Sequence, residues 1–494
     1  MSTVSMKIEV LALLRGMSAI LALILPSLIT AQIEESTNIP TTRTVTGTDI
    51  RHYTNGTLPL DLSATKIAAY VPNGSGGYNI VSGSGTSAGT FTIPNVPSGY
   101  YLLQLGTSFL ITNNSVVDED SAYGYRSNGV LANPNTELTF DLANLESWQS
   151  NDVFEMVCPN NDAYAEFYGT VGATDFAGTF PYGQFISENL SNASQGDRYA
   201  ILQLSTQNVG GYPFIGLSRS FFPPKFTQAQ GSDVPVNGTL TTVPQTHEFE
   251  ANINGADLTA QVLAANPKAT LVGTDIYLDP YPGSLAKWAG TATPDLVGYS
   301  LSWFSSVPNI TTNSDLGRVV YGNPFPATWP LIAGYAWLGE TSYVAPGATN
   351  GVNLLTLVEG STTTLPTSTS PMKPMIGVVT NPTIDGQTFF PDQVGVGITP
   401  TLKWVPPSIG KATFYVVGIY ELSNQAGGTA ETALYTVRTQ STALKIPQGI
   451  MSAGKGYVFT ITSWYVPGLN FAKTPFMSGP VAAFTDVISG LIQP

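Results

Sequence analysis

Residues 399–467 contain TPTLKWVPP (399–407), ATFYVVGIYEL (412–422), ALYTVR (433–438) and GKGYVFTITSWYVP (454–467). These short runs are rich in β-branched and aromatic residues and are separated by Pro, Gly and Asn turns, the composition of strands bounded by tight reversals. Together they predict one sandwich of face-to-face sheets. Similar runs continue upstream, and no long stretch shows sustained helical periodicity. The chain is therefore expected to be all-β, with three tandem β-sandwich-like domains, mainly antiparallel, behind an N-terminal signal segment.

At about 100–200 residues per domain, 494 residues leave room for three or four such units. Charged residues are only 11% of the chain, so Thr, Ser, Asn, Gln and Gly carry the surface polarity, while 22 Phe and 23 Tyr supply large cores. The net charge of −14, with 19 Lys and Arg spread thinly, argues against nucleic acid, which needs clustered cations against phosphate. The same sign disfavours docking on an anionic membrane surface. One cysteine, Cys158, rules out an internal disulfide framework and any multi-cysteine metal site.

Residues 1–31 have the pattern of a secretory signal peptide. Lys7 and Arg15 give the positive start, residues 16–25 (GMSAILALIL) the apolar run, and Pro26 breaks it before SLITA, ending at Ala31. The apolar run is shorter than the roughly 20 residues a spanning helix needs. Export with cleavage after Ala31 is expected, so no stable membrane insertion should remain, and the location is secreted, extracellular or periplasmic. An exported chain without disulfides fits a bacterial source. Residues 32–44 read as a flexible leader.

Residues 89–101 run G-x-F-x-I-x-x-V-P-x-G-x-Y, with Gly89, Phe91, Ile93, Val96, Pro97, Gly99 and Tyr101. With the opening Val45-Thr46-Gly47, this resembles the carboxypeptidase regulatory-like, or transthyretin-like, β-sandwich family over about residues 45–112. The resemblance implies a stalk or spacer and brings no catalytic residues with it. The first domain is set at 45–140, ending on a short strand at 137–140. Residues 141–358 form the largest and least recognisable block, one large sandwich or two small ones, with short helices expected near 143–148 and 258–265. Residues 359–374 (EGSTTTLPTSTSPMKP) are Thr-, Ser- and Pro-rich, as in a semi-extended linker. Residues 375–487 resemble the fibronectin type III family. Trp404 stands at that family's strand-B Trp, Tyr415 and Val417 match its Tyr-x-Val, and residues 451–457 have the spacing of its tyrosine corner, although Ala453 and Lys455 depart from the pattern. That resemblance implies Tyr457 burying its ring and returning its hydroxyl to the backbone.

Several motifs look like chemistry and have plainer readings. Gly85-Thr86-Ser87-Ala88-Gly89 spells G-x-S-x-G, but a strand rather than a helix follows it, so no nucleophile elbow is expected. Residues 449–455 spell G-x-x-x-x-G-K, but Gly456 stands where a magnesium-binding Ser or Thr belongs. Asn313-Ser314-Asp315-Leu316-Gly317 echoes a single Asp-box and reads as a hairpin turn. No catalytic residue is assigned, and His52 and His247, the two histidines, have no motif around them. No cofactor is required. Calcium is the cation to consider, because Asp118, Glu119 and Asp120 are the tightest acidic triplet and hard cations need clustered oxygens, but the EF-hand register is missing.

Tyr281, Trp288, Trp303, Trp329 and Trp337 crowd with other rings among Pro and Gly turns in the central block. On loops such rings could stack on sugar faces; in strands they would fill a core. They are the binding candidates, for a polysaccharide or a cell-surface protein. Two functions follow as expectations. The first is an exported, non-catalytic multi-domain β protein for display, adhesion or ligand binding, glycans included. The second is a secreted glycan-active hydrolase with a catalytic centre and accessory flanks, which needs two carboxylates about 5–10 Å apart. Asp275, Asp279 and Asp295 are its candidates.

Overall fold

The runs that opened the sequence reading are strands at Thr401–Val405, Phe414–Gln425, Gly428–Thr439 and Gly456–Tyr465. In the first, Leu402 and Trp404 turn inward while Lys403 and Val405 face water, the two-residue period of a half-buried strand. The computed structural model describes residues 41–185, 187, 189–282, 301–305, 310–476 and 481–494. The signal segment 1–31 lies outside the described residues. Strand makes up 54% and helix 5%, so the fold is all-β.

The C-terminal sandwich packs a sheet of Thr380–Ile384, Thr401–Val405 and Ala443–Lys445 against one of Gly428–Thr439, Phe414–Gln425, Gly456–Tyr465 and Ala483–Ile488. Trp404 is 4% exposed and meets Tyr415 edge to face at 5.4 Å in the core between them. Tyr457 is buried, and its hydroxyl accepts a hydrogen bond from the Ser452 amide at 2.9 Å.

The N-terminal sandwich is built the same way. Thr42–Thr48 and Thr90–Pro97 pair antiparallel and cover a sheet of Tyr78–Ser82, Ile67–Pro72, Tyr101–Leu105 and Ser108–Thr112. Phe91, Ile93 and Val96 all lie in its core. Gly47 is required there, because a Cβ would stand 1.7 Å from the Val117 carbonyl oxygen and 2.6 Å from the Phe91 ring. Gly89 turns the chain at φ +70, where a side chain would be strained.

The central block holds two hydrophobic cores. Glu137–Ala143, Asp175–Pro181 and Asp233–Thr239 cover Val153–Cys158, Ala163–Phe167 and Ala200–Val209. Further on, Gln245–Asn254 and Asn313–Gly322 pair with each other and, with the helix Gly255–Ala264, cover Tyr212–Phe221, Thr270–Pro280 and Leu331–Tyr343. Ala200–Val209 serves both cores, with Ile201 in the first and Leu202 and Leu204 in the second.

The separate bodies expected from the sequence are replaced by shared ladders. One sheet of nineteen strands runs from Ala163–Phe167 through the centre and the C-terminal sandwich to Tyr78–Ser82. Ser108–Thr112 joins the edge of Gly428–Thr439 in parallel, and Val352–Thr362 pairs antiparallel with Ala483–Ile488. Two boundaries change as a result. Residues 137–140 are not the end of the first sandwich, because the whole strand Glu137–Ala143 pairs with Asp175–Pro181 and Asp233–Thr239. The segment 359–374 begins inside a strand, with Glu359 and Gly360 held on both sides, so its first residues are not linker. The helix expected at 143–148 is extended chain: Asn144 adopts φ 63, and the Leu145 and Trp148 amides bond to the Thr174 and Ala173 carbonyls. The helix expected at 258–265 is present as Gly255–Ala264. The Asp-box-like residues 313–317 form no hairpin turn. They lie in Asn313–Gly322 at a register shift against Gln245–Asn254, where Gly317 takes φ 97.

Candidate functional site

Alternation along Thr270–Pro280 places Asp275, Tyr277 and Asp279 on one face of the central sheet. Register then sets Asp275 opposite Ala336 and Ala336 opposite Glu359, while Tyr277 faces Gly334 and Gly334 faces Ser361. Adjacent strands lie about 4.8 Å apart, so the Asp275 and Glu359 backbones are roughly 10 Å apart with only a methyl group between them. Both residues are 6% exposed. The Tyr277 ring lies across Gly334, where a Cβ would come within 2.1 Å of its Cζ. Two buried carboxylates sharing one face are the minimum for acid–base work on a glycosidic bond. Glu359 escaped the sequence reading because the Thr/Ser/Pro run after it disguised a strand end. Asp295 and Trp288 lie outside the described residues.

The other candidate rings divide. Trp337 is fully buried, meets Tyr335 edge to face at 6.2 Å and belongs to the central core. It cannot touch a ligand and is withdrawn as a binding residue. Tyr281 is 7% exposed, and its amide bonds to the Pro330 carbonyl at 2.8 Å. Trp329 is half-buried and stacks on Phe325 at 5.5 Å, on the flank of the same core. Trp303 sits in the strand Ser302–Ser305, its backbone paired with Ile215 and Tyr277.

Asp118 and Asp120 of the acidic triplet meet at one hydroxyl. Asp120 accepts from the Thr48 hydroxyl at 2.8 Å and the Ile50 amide at 2.9 Å, and its second oxygen meets His52 Nε2 at 3.1 Å. Asp118 accepts from the same Thr48 hydroxyl at 3.2 Å. Glu119, between them, is 7% exposed; burial and the charge of Asp49 hold its carboxyl well above the usual range, with Arg438 opposing. Among the described residues no group of three His, Cys, Asp or Glu side chains could hold a metal ion. Cys158 is buried, and burial pushes its thiol up to about 12, which leaves no thiolate for nucleophilic work at neutral pH. His247 stacks on Tyr321 at 5.4 Å, in a different sheet from His52.

A further aromatic group stands apart from the cores. Tyr53 and Tyr123 stack with ring centroids 5.0 Å apart, and Tyr125 completes the set at 5.7 and 5.2 Å from them. All three are half-buried, and none belongs to a described hydrophobic core cluster. About seventy residues separate Tyr53 from the others, so no local pattern announces the group. The parallel pairing of Ser121–Ala122 with Arg51 and His52 brings it together.

No protein-family model and no curated protein sequence matches the chain. Among the described residues no helix is long and apolar enough to cross a membrane.

Proposed function

We propose that the protein is exported through its signal-like segment and serves outside the cytoplasm as a non-catalytic β protein for display, adhesion or ligand binding, glycans included. The observation that carries this reading is the shared sheet. The larger sheet of the C-terminal sandwich has a strand of another module on both outer edges, at Ser108–Thr112 and Val352–Thr362. Capped edges resist unwanted strand addition, and main-chain ladders hold surfaces in fixed relation, which suits a chain that presents surfaces. The buried Trp404 and the Tyr457–Ser452 bond support the fibronectin-like resemblance, and the Phe91, Ile93 and Val96 core supports the regulatory-like one. The test is expression of the full chain in a bacterial host with a periplasm, followed by fractionation and N-terminal sequencing. The expected product is exported and starts at Gln32; an uncleaved chain confined to the cytosol overturns the reading.

The row Asp275–Ala336–Glu359 supports the second reading, a glycan-active hydrolase. On that reading the chain releases reducing sugar from a polysaccharide panel, and Asp275→Asn and Glu359→Gln each lower turnover at least a hundredfold while leaving the far-UV spectrum unchanged. No turnover by the parent chain, or turnover unchanged in both variants, removes it.

A further inference from the structure

We propose that Tyr53, Tyr123 and Tyr125, with Arg51 and Ser121 at their rim, form a binding platform for a neutral polysaccharide. This rests on the exported, ligand-binding reading above and names the site and the ligand class. Ser121 pairs with Arg51, so the two share a face of the small sheet formed by Ile50–Tyr53, Gly56–Pro59 and Ser121–Ala122, and Tyr53, on the same face as Arg51 by alternation, holds Tyr123 and Tyr125 against its ring. His52 and Asp120 occupy the other side, already bonded to each other.

The platform is rigidly framed. The Thr54 amide bonds to the Tyr125 carbonyl at 3.0 Å, the Tyr123 amide to the His52 carbonyl at 2.7 Å, and the Ser127 amide to the Asn55 side chain at 2.8 Å. Rings held this way lose little entropy when they engage a ligand, which is why tyrosine serves so well in recognition surfaces. Gly56 stands opposite Tyr53, and a Cβ there would meet no described atom within 4 Å. The three rings pack on one another rather than in a described hydrophobic core. A flat apolar face with a polar tip is what a sugar ring asks for: C–H groups over the aromatic face and hydroxyls against donors. Arg51 supplies donors beside the Tyr53 and Tyr123 hydroxyls, and the Ser121 hydroxyl is 3.5 Å from that of Tyr123. Charge selects among glycans. Asp49 lies beside Arg51 and offsets it, Asp118 and Asp120 are close by, and the chain carries −14 overall, so acidic polymers are repelled and neutral ones are not.

The test is affinity electrophoresis of the full chain in native gels containing hydroxyethylcellulose, laminarin or galactomannan, with polygalacturonate as the acidic control. At least one neutral polymer should retard the chain and polygalacturonate should not. Tyr53→Ala and Tyr123→Ala should each weaken retardation at least tenfold, whereas Tyr53→Phe, which keeps the ring, should stay within about threefold. Thermal unfolding of each variant shows whether the fold survives, and the Phe variant carries the test if an Ala variant does not fold. Retardation by no neutral polymer overturns the platform. Retardation that persists unchanged in both Ala variants also overturns it, yet leaves a glycan-binding exported protein with its site elsewhere; the N-terminus of the exported product tests export separately.

Discussion

The larger sheet of the C-terminal sandwich is sealed at its two edges by different means. At one edge Ser108–Leu110 pair in parallel with Thr436–Arg438; at the other Val358–Gly360 pair antiparallel with Ala483–Thr485. In the antiparallel seam a carboxylate continues the ladder: Asp486 accepts from the Leu357 amide at 3.0 Å and from the Thr462 hydroxyl at 2.7 Å. In the parallel seam the work falls to a cation. The Arg438 guanidinium lies 4.5 Å from the Phe476 ring centre and 5.9 Å from that of Phe414, and it donates to the Pro475 carbonyl at 3.0 Å. Glu119 is the negative charge that opposes its loss of solvation, and Glu119 Oε1 has no hydrogen-bond partner among the described residues. One seam is completed by a satisfied acceptor. The other sets the half-buried Arg438 in the field of the buried Glu119. That difference says where the molecule is most easily opened.

The largest effect is therefore expected at Arg438. Arg438→Met keeps much of the apolar stem against the two phenylalanines but removes the charge and the donor. A hydrogen bond from a charged donor is worth about 1.5–3 kcal/mol. Because Arg438 is half-buried and Glu119 can take up a proton, the expected loss is nearer the lower end, about 2 kcal/mol, read from urea denaturation. Glu119→Gln with Arg438→Met should recover a good part of it, and the double-mutant cycle measures the coupling directly. A loss below about 1 kcal/mol, or strict additivity, would show that the parallel seam rests on its backbone pairing and apolar contacts, like its counterpart.

The seams also mark where the sequence stopped being legible. The strands themselves are local: the two-residue alternation in Thr401–Val405, or the turn that Gly89 makes, can be read from a few neighbouring residues. Edge pairing is not local. Ser108 and Thr436 meet across more than three hundred residues, and nothing in either segment names its partner. The same holds for the sites. The central aromatic crowding reads equally as core or as platform until burial decides it, and Trp337 proves to be core. Tyr53 and Tyr123 sit in unremarkable segments and become a group only through tertiary pairing. Glu359 was hidden by the composition of the residues that follow it, although its own strand runs to Thr362.

The smaller effect separates the seams by pH. Burial pushes Asp486 up to about 6 from 3.8, and it holds Glu119 well above its ordinary value. Asp49, beside Glu119, is raised as well, again chiefly by burial. A carboxyl whose folded value exceeds its unfolded one binds its proton more tightly when native, so its contribution is complete below the unfolded value and is lost as pH rises through the folded one. For Asp486 that window runs from 3.8 to about 6. The urea midpoint should accordingly fall between pH 5 and pH 8. Asp486→Asn keeps an acceptor for the Leu357 amide without the charge, so it should flatten the part of the slope below pH 6 and be at least as stable as the parent at pH 8. Glu119→Gln should remove a further part of the slope, leaving that of Asp49 and Glu431, whose carboxyls burial also raises. If Asp486→Asn retains the full slope, the antiparallel seam is indifferent to protonation, and the pH response of the molecule comes from the parallel edge alone.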